Sequence, residues 1–334
     1  MAVVGVGTIG AMTLWQLAEQ GIAAVGYDRY APGHDRGAGA GESRIFRIAY
    51  KEGAQYVPLL RRARELWQEL ESRGGGPLLH PVGCATVGPA EHESVVAVQR
   101  AAATHHLPLE VLTGDDARQR LPEHPLRDGE VLLFDPLGGL LRPEASVTAA
   151  VAAGAWNPPP GVELPIPIRV DRLFHAWFFT DHPEDYKAGK FLPFMRQSAG
   201  LEDYEVGIAG SPGDDGIVRA GATVPYYRGD ADPNALDRTV PLDYIRRMSE
   251  ALAEYLPGID PNPIRTAVYM DGYTPDLRPI TEAVTDNVLV LSGFSGHGFK
   301  FAPVVGQLAA QWSVDGDIAP LKSVFSGAPA TPHA

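Results

Sequence analysis

The chain has 334 residues, 45% apolar and 21% charged, enough material for a substantial core in one large or two interlocked domains. A formal net charge of −13 disfavours nucleic acid and anionic membrane surfaces as partners, since both reward clustered Lys and Arg. The single cysteine, Cys84, excludes an intrachain disulfide and a cysteine-based metal cluster, and no apolar run approaches membrane-spanning length, so a cytoplasmic protein without a signal peptide is expected.

From the amino end, a short apolar strand runs straight into Gly5-x-Gly7-Thr8-Ile9-Gly10. The first glycine permits a tight turn, the second lets backbone approach a pyrophosphate, and the third allows close packing of helix on strand. Leu14, Leu17 and Ala18 fall on one helical face, Gly21 is placed to stop the helix, and Ile22 to Tyr27 reads as a buried strand delivering Asp28 to a ribose hydroxyl. The unit predicts a dinucleotide cradle, with phosphates at the positive end of the helix. An ordinary strand-turn-helix shares the pattern, and the glycine triplet alone would suit an NAD enzyme equally.

After a Gly/Ala-rich loop come Ser43, Arg44 and Arg47, the two arginines spaced to share one side of a helical turn. They could grip two anions by bidentate hydrogen bonding, or simply form a solvated basic turn. A helix is expected from about Tyr56 to Arg73, with Leu59, Leu60, Ala63, Leu66, Trp67 and Leu70 inward. Val82 to Val87 reads as a strand, Glu91 to Ala103 as a helix, and Asp115-Asp116 as the cap of a short helix ending at Pro122. From Phe134 to Glu144 turn chemistry leads to a proline at a helix start.

An alanine-rich helix from Ser146 to Ala153 then passes without turn or strand into Gly154-Ala155-Trp156-Asn157 and a proline run. Ile166 to Thr180 and Gly216 to Thr223 read as strands, and Asp243 to Leu256 as a helix with Ile245, Met248, Leu252 and Tyr255 inward. A second strand, glycine loop and helix closes the chain: Asn287 to Leu291, the loop through Gly293, Gly296, His297, Gly298 and Phe299, and an apolar helix from Pro303 to Trp312. Backbone in such a loop can approach a flat ring, and Lys300 at its mouth could bind an anion. His297 could act as a base or pack within the loop; packing is the plainer reading.

Gly5-x-Gly7-x-x-Gly10, Ser43-Arg44-Ile45-Phe46-Arg47-x-Ala49-Tyr50, Tyr56-Val57-Pro58-Leu59, Gly154-Ala155-Trp156 and Gly293-Phe-Ser-Gly-His-Gly-Phe-Lys-Phe301 together resemble the monomeric sarcosine oxidase and N-methyltryptophan oxidase family, within the D-amino-acid-oxidase-like flavoproteins. The match is collinear over nearly the whole chain. The resemblance implies an α/β (mixed α+β) protein: a contracted Rossmann-like FAD domain (1–76, 128–158 and 268–325) and a substrate domain with a mixed, largely antiparallel sheet (77–127 and 159–267). It implies a monomer that oxidises the C–N bond of a small secondary or N-methyl amino acid, with an imine and hydrogen peroxide as products.

By the same resemblance, Gly5, Gly7, Thr8, Ile9, Gly10, Asp28 and Arg29 hold the ADP end, while Ser43, Arg44 and the loop Gly296, His297, Gly298 and Phe299 lie at the flavin. Arg47 and Lys300 match the pair that holds the substrate carboxylate. Tyr269 stands where the family's flavin-attaching cysteine lies, which implies noncovalent FAD. Arg219 stands at the family lysine that helps oxygen react, and Ala40 and Thr223 at two histidines. Several dozen residues that the family carries between the helix at Ser146 and Gly154 are missing, which should shorten the parallel sheet or expose an edge. The alternative these departures leave open is a flavin-poor or non-redox relative that binds an amino-acid-like carboxylate in a biosynthetic pathway.

Overall fold

In the computed structural model, which describes residues 1–150, 166–197, 207–223, 231, 232 and 234–326, the chain opens as β1 (Ala2–Val4), α1 (Thr8–Glu19) and β2 (Val25–Tyr27). The two strands pair in parallel, Ala2 with Val25 through Val4 with Tyr27, and among the described residues no other strand joins them. The buried strand expected from Ile22 is therefore shorter and exposed, with Val25 at 56% and Tyr27 at 58% exposure. A lone parallel pair has no neighbouring strand against which to bury its outer side chains. Gly21, at φ +71°, ends α1 as expected.

The buried face of α1 also differs from expectation. Ala11, Met12, Trp15 and Leu17 are buried while Ala18 is exposed. The cause lies across the domain: a Cβ on Gly306 would sit 2.5 Å from the Met12 carbonyl carbon, so only glycine lets the late helix cross α1 this closely.

Next, β3 (Arg44–Phe46) replaces the expected helical turn. Arg44 and Arg47 are thus separated along extended backbone rather than stacked on a helix, because Arg44 to Phe46 pair with a later strand. After it come α2 (Val57–Leu70), β4 (Leu79–His80), β5 (Cys84–Pro89), α3 (Glu93–His105), β6 (Glu110–Leu112), α4 (Gly114–Arg120), β7 (Glu130–Asp135), β8 (Gly139–Leu141) and α5 (Pro143–Ala150). The inward stripe of α2 is Val57, Leu60, Ala63, Leu66, Trp67 and Leu70, close to the expected one, with Leu59 only half-buried. β8, hidden within apparent turn chemistry, pairs antiparallel with β3 and β4 to form a three-stranded sheet. The junction at Gly154-Ala155-Trp156 lies outside the described residues.

The remainder comprises β9 (Arg169–Phe178), β10 (Phe194–Arg196), β11 (Gly207–Pro212), β12 (Val218–Thr223), α6 (Leu242–Tyr255), β13 (Arg265–Tyr273), β14 (Ile280–Thr285), β15 (Val288–Ser292), α7 (Gly298–Asp315) and α8 (Ala319–Phe325). Eight strands form one mixed sheet in the order β13-β9-β12-β11-β10-β5-β7-β6, antiparallel except for β10 beside β5. This is the mixed, largely antiparallel sheet expected. Both β7 and β13 belong to it, although the sequence division sets β7 and most of β13 with the cofactor domain.

Two main cores result. One joins α1, α2, α7 and α8 through residues such as Met12, Leu60, Trp67, Phe301 and Phe325. The other gathers side chains of the large sheet with Tyr244, Met248, Leu252 and Tyr255 of α6. Since α1 follows the first glycine loop and α7 follows the second, their close crossing fixes the two loops relative to each other.

Candidate active site

A continuous cavity of about 1440 Å³ is lined by both the first glycine loop and the second. It exceeds the ~300–1,000 Å³ of common small-ligand pockets and has room for an elongated cofactor.

At the first loop, Gly5 adopts φ +80° and a Cβ on Gly10 would lie 2.2 Å from the Gly5 carbonyl oxygen, so the turn requires glycine at both positions. Gly7 precedes α1 with no side-chain cap and no acid in the first turn, which leaves helix N–H groups and the positive dipole end for an anion. Gly5, Thr8, Ile9, Gly10, Asp28 and Arg29 line the cavity, whereas Gly7 is buried behind it. Asp28 binds the loop to the end of β2: Val6 N–H donates to its Oδ2 at 2.9 Å and Tyr30 N–H to its Oδ1 at 3.0 Å. This is a cradle whose shape added side chains would destroy, and it fits the diphosphate of FAD.

Ser43 and Arg44 also line the cavity. Arg44 donates to the carbonyls of Ser43, Ala38 and Ala40, which fixes the loop that precedes it. Arg219, from β12, donates to the Ser43 carbonyl at 2.7 Å, to the Ser43 hydroxyl at 2.6 Å and to His175 Nδ1 at 2.7 Å. Burial and the neighbouring Arg44 lower Arg219 to about 9. His175 is held well below its ordinary value by burial, then Arg219 and Arg44, so its ring is neutral and accepts. Sequence reasoning missed His175; it lies on the cavity wall in a strand whose carboxyl end, Ala176 to Phe178, is core.

Arg47 and Lys300 both face the cavity near the second loop. Arg47 is 5% exposed, meets Glu52 at 3.4 Å, and has no partner at Nε or Nη1 among the described residues. Lys300, 6% exposed, donates to the Tyr50 hydroxyl at 3.3 Å and the His297 carbonyl at 3.2 Å. Burial and then Arg47 lower the ammonium to about 7. Glu52 is pushed up by its own burial but held down to about 2 by Arg47, Lys51 and Lys300. Two buried cations, one with idle donors, form a seat for a carboxylate.

The second loop supplies Gly296, Gly298 and Phe299 to the cavity wall. His297 does not line the cavity: it precedes the first turn of α7, 6.5 Å edge-on from Phe301, and burial and Lys300 lower it to about 4. The packing reading therefore describes it better than the base reading. Tyr269 is buried beside Gly41 and His175 and is not on the cavity wall. The Thr223 side chain lies outside the described residues.

A further group went unnoticed in the sequence. Asp271 of β13 lines the cavity, its Oδ1 accepts the Gly272 N–H at 2.8 Å, and burial raises it to about 6 against the lowering effect of the Gly272 N–H, Arg44 and the Gly296 N–H. An acid set in the apolar run Val268-Tyr269-Met270 was the available signal.

Comparison with known proteins agrees with this geometry. The family described as "DAO: FAD dependent oxidoreductase" matches residues 1–153 and 144–312, in two pieces that overlap over residues 144–153. Monomeric sarcosine oxidase of Streptomyces avermitilis is 30% identical across 95% of this chain and 94% of its own. That alignment spans 365 positions, more than the chain's 334 residues, so gaps open on this side of it. N-methyl-L-tryptophan oxidase of Salmonella arizonae is 26% identical over 94% of each chain. Among solved structures, NikD, described as an unusual amino acid oxidase essential for nikkomycin biosynthesis, superposes with a TM-score of 0.78 at 19% identity, covering 100% of this chain and 98% of its own.

Proposed function

The chain belongs to the DAO family of FAD-dependent oxidoreductases, and on that premise we propose that it oxidises the C–N bond of a small secondary or N-methyl amino acid to an imine, with oxygen reduced to hydrogen peroxide. The observation that carries this reading is the pair Arg47 and Lys300, two buried cations on the wall of the same cavity that begins at the glycine cradle.

FAD would be held by the Gly5 to Gly10 loop and the start of α1 at its diphosphate, by Asp28 and Arg29 at the ribose, and by Ser43, Arg44 and the Gly296 to Phe299 backbone at its ring. When bound, it supplies the acceptor for the hydride equivalent leaving the carbon next to nitrogen. Arg47 and Lys300 orient the substrate through its carboxylate, so that one carbon is presented repeatedly in the same position. Arg219 keeps a positive charge beside Ser43 and, as a guanidinium, does not give up a proton at neutral pH. With Tyr269 in place of a thiol, and Cys84 buried off the cavity wall and pushed up to about 12 by that burial, attachment is noncovalent. A cytoplasmic monomer of two domains, divided as the sequence suggests except that β7 and β13 go with the large sheet, completes the proposal.

The test is the visible spectrum of the purified protein before and after addition of FAD, followed by anaerobic sarcosine or proline. Uptake of FAD and bleaching by the amino acid are expected. A protein that takes up no FAD would refute the reading and favour the non-redox carboxylate binder, whose structural support is the exposed β1–β2 pair.

A further inference from the structure

The cavity wall around the clamp is strongly unbalanced. Arg44, Arg47, Arg219 and Lys300 all face it, and an amino acid whose carboxylate lies on Arg47 and Lys300 would bring its cationic nitrogen among them. Repulsion between like charges in a poorly hydrated space is costly unless an anion intervenes. Four carboxylates line the cavity among the described residues, and three are remote in the fold: Asp28 follows β2, Asp286 lies in the β14–β15 turn, and Asp315 ends α7. The fourth is Asp271.

Asp271 is held by its own strand and lies beside the second glycine loop. The Gly272 N–H donates to its Oδ1 at 2.8 Å, and the Gly296 N–H favours its charged form. That loop is fastened to β13 by Ser295 N–H donating to the Gly272 carbonyl at 2.9 Å. The charged groups that influence or feel the carboxylate are Arg44 of β3, Asp171 of β9 and Lys300 of α7. Asp171 is itself satisfied by two contacts of 2.7 Å from Arg169. Among the described residues Asp271 forms no ion pair of its own, so its carboxylate carries charge into the cavity that the protein does not neutralise directly.

We propose that Asp271 receives the substrate's amino nitrogen: its carboxylate pairs with the ammonium of an amino acid seated on Arg47 and Lys300, and takes one proton from it before the adjacent C–H bond breaks. This rests on the clamp and the amine oxidation proposed above. The step balances simply. The ammonium and the carboxylate become a neutral amine and a carboxylic acid; the freed nitrogen lone pair then assists departure of the hydride equivalent, and the acid returns its proton to solvent. The cavity is accordingly selective for zwitterions, and rejects both simple carboxylic acids and simple amines.

Two ligands that cannot be oxidised and differ only in an ammonium for a methyl group, 2-aminoisobutyrate and pivalate, isolate this contact. Binding is measured by calorimetry on the FAD-loaded protein between pH 5 and pH 8. The ratio of their affinities cancels what the clamp contributes to both. At pH 8 the amino acid is expected to bind at least about 10-fold tighter than pivalate, and the ratio should fall on acidification through pH 6, as Asp271 protonates. In Asp271→Asn the preference should vanish at every pH, with pivalate affinity kept within about threefold. A wild-type ratio that is near unity or independent of pH overturns the assignment without needing the variant. Persistence of the preference in Asp271→Asn overturns it too. Failure of both ligands to bind wild-type protein overturns the clamp, and this inference with it.

Discussion

Replacing Arg47 with alanine should weaken a simple carboxylate such as pivalate by about 2–4 kcal/mol, roughly 30- to 700-fold in Kd. The magnitude follows from two idle donors, Nε and Nη1, buried at the cavity wall. Each hydrogen bond to a charged group contributes about 1.5–3 kcal/mol, and part is recovered when water fills the emptied space. The single variant carries a confounding cost, because Glu52 is kept ionised by Arg47 and would be left buried without its main partner. The comparison is therefore best made in a Glu52→Gln background, with urea midpoints recorded alongside calorimetric affinities. If pivalate binds Arg47→Ala/Glu52→Gln within threefold of the Glu52→Gln parent, the fork of Arg47 has no role in carboxylate recognition.

Three other outcomes are expected. With Lys300 lowered to about 7 by burial and by Arg47, the clamp loses a positive charge as pH rises through that value; carboxylate affinity should fall by up to about tenfold per pH unit above it, and Lys300→Arg should flatten the profile. His124, stacked 4.8 Å from Phe191 and lowered to about 3 by burial and then Arg196, is neutral when folded but protonates below pH 6.5 when unfolded. Stability should thus drop on acidification from pH 6.5 by about 2 kcal/mol at pH 5, and His124→Phe should remove that share of the slope in urea titrations. Finally, acid precipitation of the loaded protein should leave all the yellow colour in the supernatant; flavin retained in the pellet would contradict the reading of Tyr269.

The glycine cradle was legible because its requirements are local: a positive φ at Gly5 and a missing Cβ at Gly10 are properties of a few consecutive residues. The α2 stripe was legible for the same reason. Arg44 and Arg47 were misassigned to a helical turn because their strand is defined by β8, whose pairing with β3 is invisible from either segment alone. Ala18 was assigned inward because helical periodicity gives a face without saying which neighbour chooses it, and here Gly306 of α7 chooses. His175 and Asp271 escaped notice for another reason. Alternation along β9 and β13 says which side chains share a face of the sheet, yet a face lining a cavity and a face lining a core have the same period.

Among the described residues β1 and β2 pair only with each other, which makes the cofactor a structural member as well as a reagent. Apolar side chains at Val4, Val25 and Tyr27 stand more than half exposed, so little of this segment's stability comes from burial. A ligand held by the cradle adds RT ln(1 + [L]/Kd), about 2.7 kcal/mol when its free concentration is a hundred times Kd. Local opening at the amino end would then be governed by flavin supply, and amide protons of Val25 to Tyr27 should exchange quickly in the stripped chain and slowly in the loaded one. In a cell, the abundance of this protein would track flavin availability through proteolysis of the open form, independently of any demand for its chemistry.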